Sequence, residues 1–278
     1  MNARALAAWS LASLVVVMAV SNPVYRALVV LAALNVIVAG RREGVKRGPL
    51  LLTLGVALAL ATAFNTVLSH SGAHVLARFP DWIPVFGGPL TAEGMVYGVG
   101  VGLGIAAAVL VVAPLSLCLE PDQLVSALPA LLHRTGAALG AAFNLLPAMV
   151  RSVTAIAEAQ RLRGLPVGLR GVRWVLLPAT LTALDDSLQL AESMEARAYG
   201  SGPRTSFAES PWRRRDGFIA VLSVAAAGLF VALHSGGLVS DWYPYPTLTA
   251  PAVNAAGAGA CAVLVLPALL WSSRTSSA

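Results

Sequence analysis

The chain has 278 residues, of which 57% are apolar and 12% charged, with a mean hydropathy of +0.75. That balance leaves too little polar surface to cover a water-soluble globule and makes the chain an integral membrane protein. Its net charge of +6 follows from where cations fall between apolar runs, so it calls for no nucleic acid as a partner.

Six runs approach the roughly 20 residues that a helix rising 1.5 Å per residue needs to cross hydrocarbon. In chain order they are Ala5–Val20, Val24–Ala39, Pro49–Ser69, Met95–Leu119, Gly217–His234 and Leu248–Trp271. None alternates with period two, so a transmembrane β-barrel is excluded and the expected fold is an all-α polytopic membrane protein. The first run, with Arg4 ahead of it and Ala19-Val20-Ser21 behind, has the outline of a signal peptide. Because five more spans follow, it is read as a signal anchor.

Cations in short loops stay on the cytoplasmic side. Arg41, Arg42, Lys46 and Arg47 follow the second span. Arg134, Arg151, Arg161, Arg163, Arg170, Arg173, Arg197, Arg204 and Arg213 to Arg215 fall between the fourth and fifth. Both places are therefore inside, which puts both termini in the cytoplasm and leaves Arg26 and Arg78 outside. The run Gly136–Val150 is too short to cross, is interrupted by Asn144 and Pro147, and is expected to lie in the inner interface. The organisation is a membrane block over 1–119, a basic coupling segment over 120–215 and a closing membrane hairpin over 216–278.

Within the fourth span Gly94, Gly98 and Gly102 recur at four-residue intervals, and Ala106 continues the row. Small residues at that spacing let helices touch backbone to backbone in lipid, either inside the protein or against a second membrane subunit. His70 and His74 have the spacing of a helical metal pair, but Ser71-Gly72 separates them and no third ligand follows, so no metal site is expected. Cys118 and Cys261 sit in apolar runs without zinc or redox spacing. Trp242, Tyr243 and Tyr245, like the segment Phe79–Pro89 with Trp82 and Phe86, belong at the membrane interface.

The middle segment is amphipathic. Leu177, Leu181, Leu184, Leu188 and Ala191 form one apolar stripe, and Leu146, Val150, Val153 and Ala157 another. The first of these helices closes at Arg161-Leu162-Arg163-Gly164 and the second at Glu195-Ala196-Arg197-Ala198-Tyr199-Gly200. Arginine in a last turn is favoured by the helix dipole by about 0.3 to 1 kcal/mol, which alone accounts for a single such ending. Two endings of one build, 34 positions apart, read instead as a pair of plugs: a small residue admits a neighbouring backbone, and a guanidinium offers planar donors.

These endings resemble the Ala-Arg-Gly motifs closing the two coupling helices of the membrane T component of energy-coupling factor transporters, a branch of the ATP-binding-cassette importers. The similarity extends to Asn22-Pro23, Leu128-Pro129, Gln160 to Gly164, Met194 to Gly200, and Arg204-Thr205. Leu162 replaces the usual Ala of the first motif, and Ala198 the usual Gly of the second. A left-handed turn costs Ala198 what Gly adopts freely, so Gly200 is expected to take that turn.

The resemblance implies a subunit without catalytic residues or a cofactor of its own. It docks on two cytoplasmic ATPases, which bind ATP and magnesium, and it holds a substrate-binding S component that takes up a vitamin or a transition-metal ion. The sequence contains no Gly-x4-Gly-Lys-Ser/Thr phosphate loop. Two other readings stay open. One is a self-sufficient transporter or channel; the other is a prenyltransferase-like membrane enzyme using Asp185-Asp186 to hold magnesium, for which a second acidic cluster is lacking.

Overall fold

The structure, a computed structural model, describes residues 2–40, 48–79, 87–119, 133–165, 171–198 and 212–272. Gly200, Arg170, Leu128-Pro129, Arg204-Thr205, Trp82, Phe86 and the cations Arg41 to Arg47 lie outside the described residues. The chain divides into two compact units, one of Met1–Glu120 with Pro211–Ala278 and one of Pro121–Ser210.

The first unit contains helices α1 (Ala3–Ala19), α2 (Pro23–Gly40) and α3 (Gly48–Leu68), strands β1 (Val75–Phe79) and β2 (Gly88–Thr91), and helix α4 (Ala92–Leu117). It is completed by α7 (Arg214–Ser235), α8 (Ala255–Val263) and α9 (Leu266–Ser272), while the second unit holds α5 (His133–Leu162) and α6 (Val172–Ala196). Helices α2, α4 and α7 are long and apolar enough to cross a membrane, and α1, residues 52–68 of α3 and residues 255–270 across α8 and α9 are shorter apolar segments.

Beyond shifts of a few residues at helix ends, three local features differ from those read in the sequence. The last span does not start at Leu248: residues 248–254 are non-helical, Asn254 caps α8 by accepting the Ala256 N–H at 2.9 Å, and the helix breaks again at Leu264. The Trp9 indole N–H reaches across from α1 to donate to the Leu264 carbonyl at 2.9 Å, satisfying a group the break leaves bare. Pro147 does not interrupt its helix, because α5 runs unbroken through it for 30 residues. The ends of the interfacial segment Phe79–Pro89 belong to two antiparallel strands, with Ala77 opposite Leu90 and Phe79 opposite Gly88.

That strand pair is clipped to α4. Glu93, fully buried, accepts from His74 Nδ1 at 2.7 Å and from the His74 backbone N–H at 3.2 Å. Thr91 caps α4 by accepting the Gly94 N–H at 3.2 Å and donates its own hydroxyl to Ser71 O at 2.9 Å. The carboxylate also benefits from the positive end of the helix.

Many buried positions in this unit are small, such as Ala32, Ala33, Ala107 and Ala227, while Leu11, Leu31, Leu60, Phe64 and Val221 face outward. Large apolar groups gain nothing by leaving a hydrocarbon solvent, so close backbone approach is what holds such helices together. Helix α3 lies along α4; α1 packs on α7 and α4; α2 packs on α4, α8 and α9.

The glycine row faces α3. A Cβ on Gly98 would stand 2.8 Å from Thr62 Cα and 2.9 Å from Thr62 O, and one on Gly102 would stand 2.7 Å from Leu58 Cδ1. Gly94, at the row's start, lies 3.3 Å by the same measure from Ser69. Since backbone cannot yield as a side chain can, Gly98→Leu is expected to cost about 3 kcal/mol or more. Gly55→Ala, where an added Cβ meets nothing within 4 Å, is expected to be neutral or stabilising by up to about 1 kcal/mol. Thermal unfolding of both variants in detergent checks the pair.

Candidate functional site

The second unit carries the two arginine endings. Helices α5 and α6 pack together, and Gln160 joins them: its amide donates from Nε2 to Trp174 O at 3.2 Å while its side-chain oxygen is buried without a partner. Arg173 lies over the Trp174 ring at 5.0 Å, which stiffens the entry to α6. In the sequence Gln160 stands out only as part of a motif. Its role was not visible there because its partner carbonyl comes 14 residues later, on the next helix.

Helix α5 ends in a Schellman turn. The Gly164 N–H donates to Arg161 O at 3.0 Å and the Leu165 N–H to Gln160 O at 3.0 Å, with Gly164 at φ +74. Arg163 is thus the last residue before the left-handed step, and it points outward with Arg161, Leu162 and Gly164 exposed around it.

Helix α6 repeats the arrangement. The Ala198 N–H donates to Glu195 O at 2.8 Å, and Ala198 itself takes φ +55. This corrects the expectation that Gly200 would make the turn. A Cβ in that conformation costs about 1 to 2 kcal/mol, a strain the surrounding turn sustains. Arg197 therefore occupies the same place relative to its turn as Arg163 does, with Glu195, Ala196 and Ala198 exposed beside it.

Among the described residues neither arginine forms an ion pair with a carboxylate. Helix α6 has 25 residues, about 37 Å at 1.5 Å each. Its start is tied to the end of α5 through Gln160, so the two arginines stand near opposite ends of α6. The apolar stripes read in the sequence are exposed as well: Leu146 and Val150 on α5, and Leu177, Leu181, Leu184 and Leu188 on α6. Among the described residues no group of three or more histidine, cysteine or acidic side chains is gathered as a metal site, and Asp185-Asp186 lies along α6 without a second acidic cluster.

If the two turns are equivalent, they respond oppositely to exchange. Ala198→Gly is expected to stabilise by a few tenths to about 1 kcal/mol, because relief of the left-handed strain exceeds the added freedom of the unfolded chain. Gly164→Ala is expected to cost about 1 kcal/mol. Thermal denaturation of the two variants beside the parent measures both signs.

The family described as cobalt transport protein (CbiQ) matches residues 2–207. An energy-coupling factor transporter transmembrane protein, EcfT, of Exiguobacterium sibiricum is 32% identical over 112 residues, covering 37% of this chain and 43% of that protein. A protein of the same name from Lactococcus lactis subsp. cremoris is 28% identical over 97 residues, covering 32% and 36%. The chain thus spans less than half the length of these curated relatives in either alignment. The family match runs through α1 to α6 and both arginine endings, and on it the protein belongs to the cobalt transport protein family.

Proposed function

We propose that the chain is the transmembrane coupling subunit, the T component, of an ATP-driven importer of the energy-coupling factor type. The observation that carries this reading is the pair of matching helix ends. Each presents, just before a left-handed turn, one arginine that forms no ion pair among the described residues, and the two stand near opposite ends of α6. Two such knobs suit two sockets, one on each of two cytoplasmic ATPases. The sequence lacks a phosphate loop of its own, so ATP and magnesium belong to those partners. The chain itself is then a non-catalytic subunit, and motion of the ATPases reaches the membrane through α5 and α6.

The S component, which selects a vitamin or a transition-metal ion, docks in this reading within the bilayer. An apolar groove of about 840 Å³ lined by Leu60, Ala61, Phe64, Val101 and Ile105 lies beside the α3–α4 seam and supports that placement. The glycine row brings α3 close to α4 beside that groove.

Losing one arm of a buried charged hydrogen bond at an interface costs about 2 to 5 kcal/mol. Arg163→Ala and Arg197→Ala are each expected to weaken ATPase association by at least about 30-fold. Co-purification and uptake assays on single and double variants test this, and a double variant that assembles and imports like the parent sinks the assignment.

In this reading both termini face the cytoplasm, which the distribution of cations supports. A phosphatase that is active only outside the cytoplasm, fused after Ala278, is expected to be inactive. The same reporter inserted at Gly237 is expected to be active. The reverse pattern would remove the two arginines from the side where ATP is found.

A further inference from the structure

Arg26 is unusual for a membrane-spanning helix, and its surroundings are built around it. Its Nε donates to Val20 O at 3.0 Å and its Nη1 to Gly100 O at 2.9 Å, joining the end of α1 to α4. Gly104 has no side chain where one would collide with the guanidinium, since a Cβ there would lie 2.9 Å from Nη1. Two of the five guanidinium N–H groups are accounted for in this way, and among the described residues no carboxylate pairs with it. Asp241 stands beyond ion-pair distance, accepting the Ser21 N–H at 2.7 Å and facing His234 Nε2 at 3.7 Å.

The guanidinium borders a half-enclosed cavity of about 90 Å³, walled by Ser21, Tyr97, Gly100, Trp242 and Tyr243. One water needs about 10 to 15 Å³ by this measure, and drug-sized ligands need several hundred, so the space suits one small polar group. Gly100 is buried, yet a Cβ on it would meet nothing within 4 Å, so the glycine keeps this space open. The phenol of Tyr243 accepts from Ser21 Oγ at 3.3 Å, which leaves its own O–H as a donor. Trp242 and Tyr243 are the residue types that sit at headgroup level.

We propose that this cavity binds a phosphate group, held by the remaining guanidinium donors of Arg26 and by the Tyr243 hydroxyl. A planar guanidinium beside a neutral O–H donor is matched to a tetrahedral oxyanion. The phosphate is supplied either by a phospholipid headgroup or by free inorganic phosphate. A bound headgroup would tie α1, α2, α4 and the 236–254 loop together at the membrane surface.

The test uses the full chain, delipidated in detergent, with unfolding temperature as the readout. Short-chain phosphatidylglycerol is expected to raise that temperature, and diacylglycerol with the same chains is not. Gly100→Val, which fills the cavity and leaves Arg26 in place, is expected to raise the phospholipid concentration needed at least tenfold, as is Arg26→Gln. Saturation by inorganic phosphate as well would identify a free anion as a sufficient ligand; a response to phospholipid alone would identify the headgroup. Equal responses to phospholipid and diacylglycerol, no response to either phosphate source, or a parental response in Gly100→Val would overturn the proposal. If Arg26→Gln fails to fold, Gly100→Val decides.

Discussion

Close contact between helix backbones is the constraint on which the membrane unit depends. Water drives large apolar side chains together in a soluble protein, but a lipid tail is as good a neighbour for leucine as another leucine. Attraction between helices must then come from atoms packed at van der Waals distance, and bulky side chains prevent it. Gly98 against Thr62 and Gly102 against Leu58 are where α4 meets this demand toward α3, and the alanines of α2, α4 and α7 meet it elsewhere. The same principle explains why so many leucines and valines of this unit point outward.

Once side chains are small and apolar, the remaining specificity rests on few polar groups, each bridging distant parts of the chain. Asn22, fully buried, accepts the Val24 N–H to cap α2 and donates to Ala252 O at 2.9 Å. Tyr25 accepts the Asn254 N–H at 2.8 Å and meets Phe230 edge-on at 5.3 Å. Asp216 accepts from the backbone N–H groups of Asn2 and Arg213, so the start of α1 is held to the start of α7. A buried polar group without a partner costs about 1 to 3 kcal/mol. These few contacts therefore select one arrangement among helices whose apolar faces are otherwise interchangeable.

The second unit follows a different rule. Its two helices keep exposed apolar stripes and end in turns whose backbone is set by one left-handed residue each. At Gly164 that conformation is free of strain; at Ala198 it is not, yet the turn has the same hydrogen bond to the residue three positions earlier. Strain retained at a solvent-facing tip accords with a requirement on where Arg197 points, since stability alone would favour glycine.

Composition and local pattern were enough to determine a helical membrane protein, the helical segments near the six apolar runs, the two amphipathic helices and the residues at which those helices end. All of these depend on groups within one turn of each other, or on the length of a run against the thickness of a bilayer. The tertiary structure alone decided what is non-local. It set the break at Leu264 under the Trp9 indole, the clip between His74 and Glu93, and the seat of Arg26 on Gly100 and Gly104. It also decided that Ala198 itself makes the left-handed turn and that Gln160 bridges two helices. Each joins groups that are far apart in sequence or depends on a backbone angle a residue type only disfavours, and neither leaves a periodic trace along the chain.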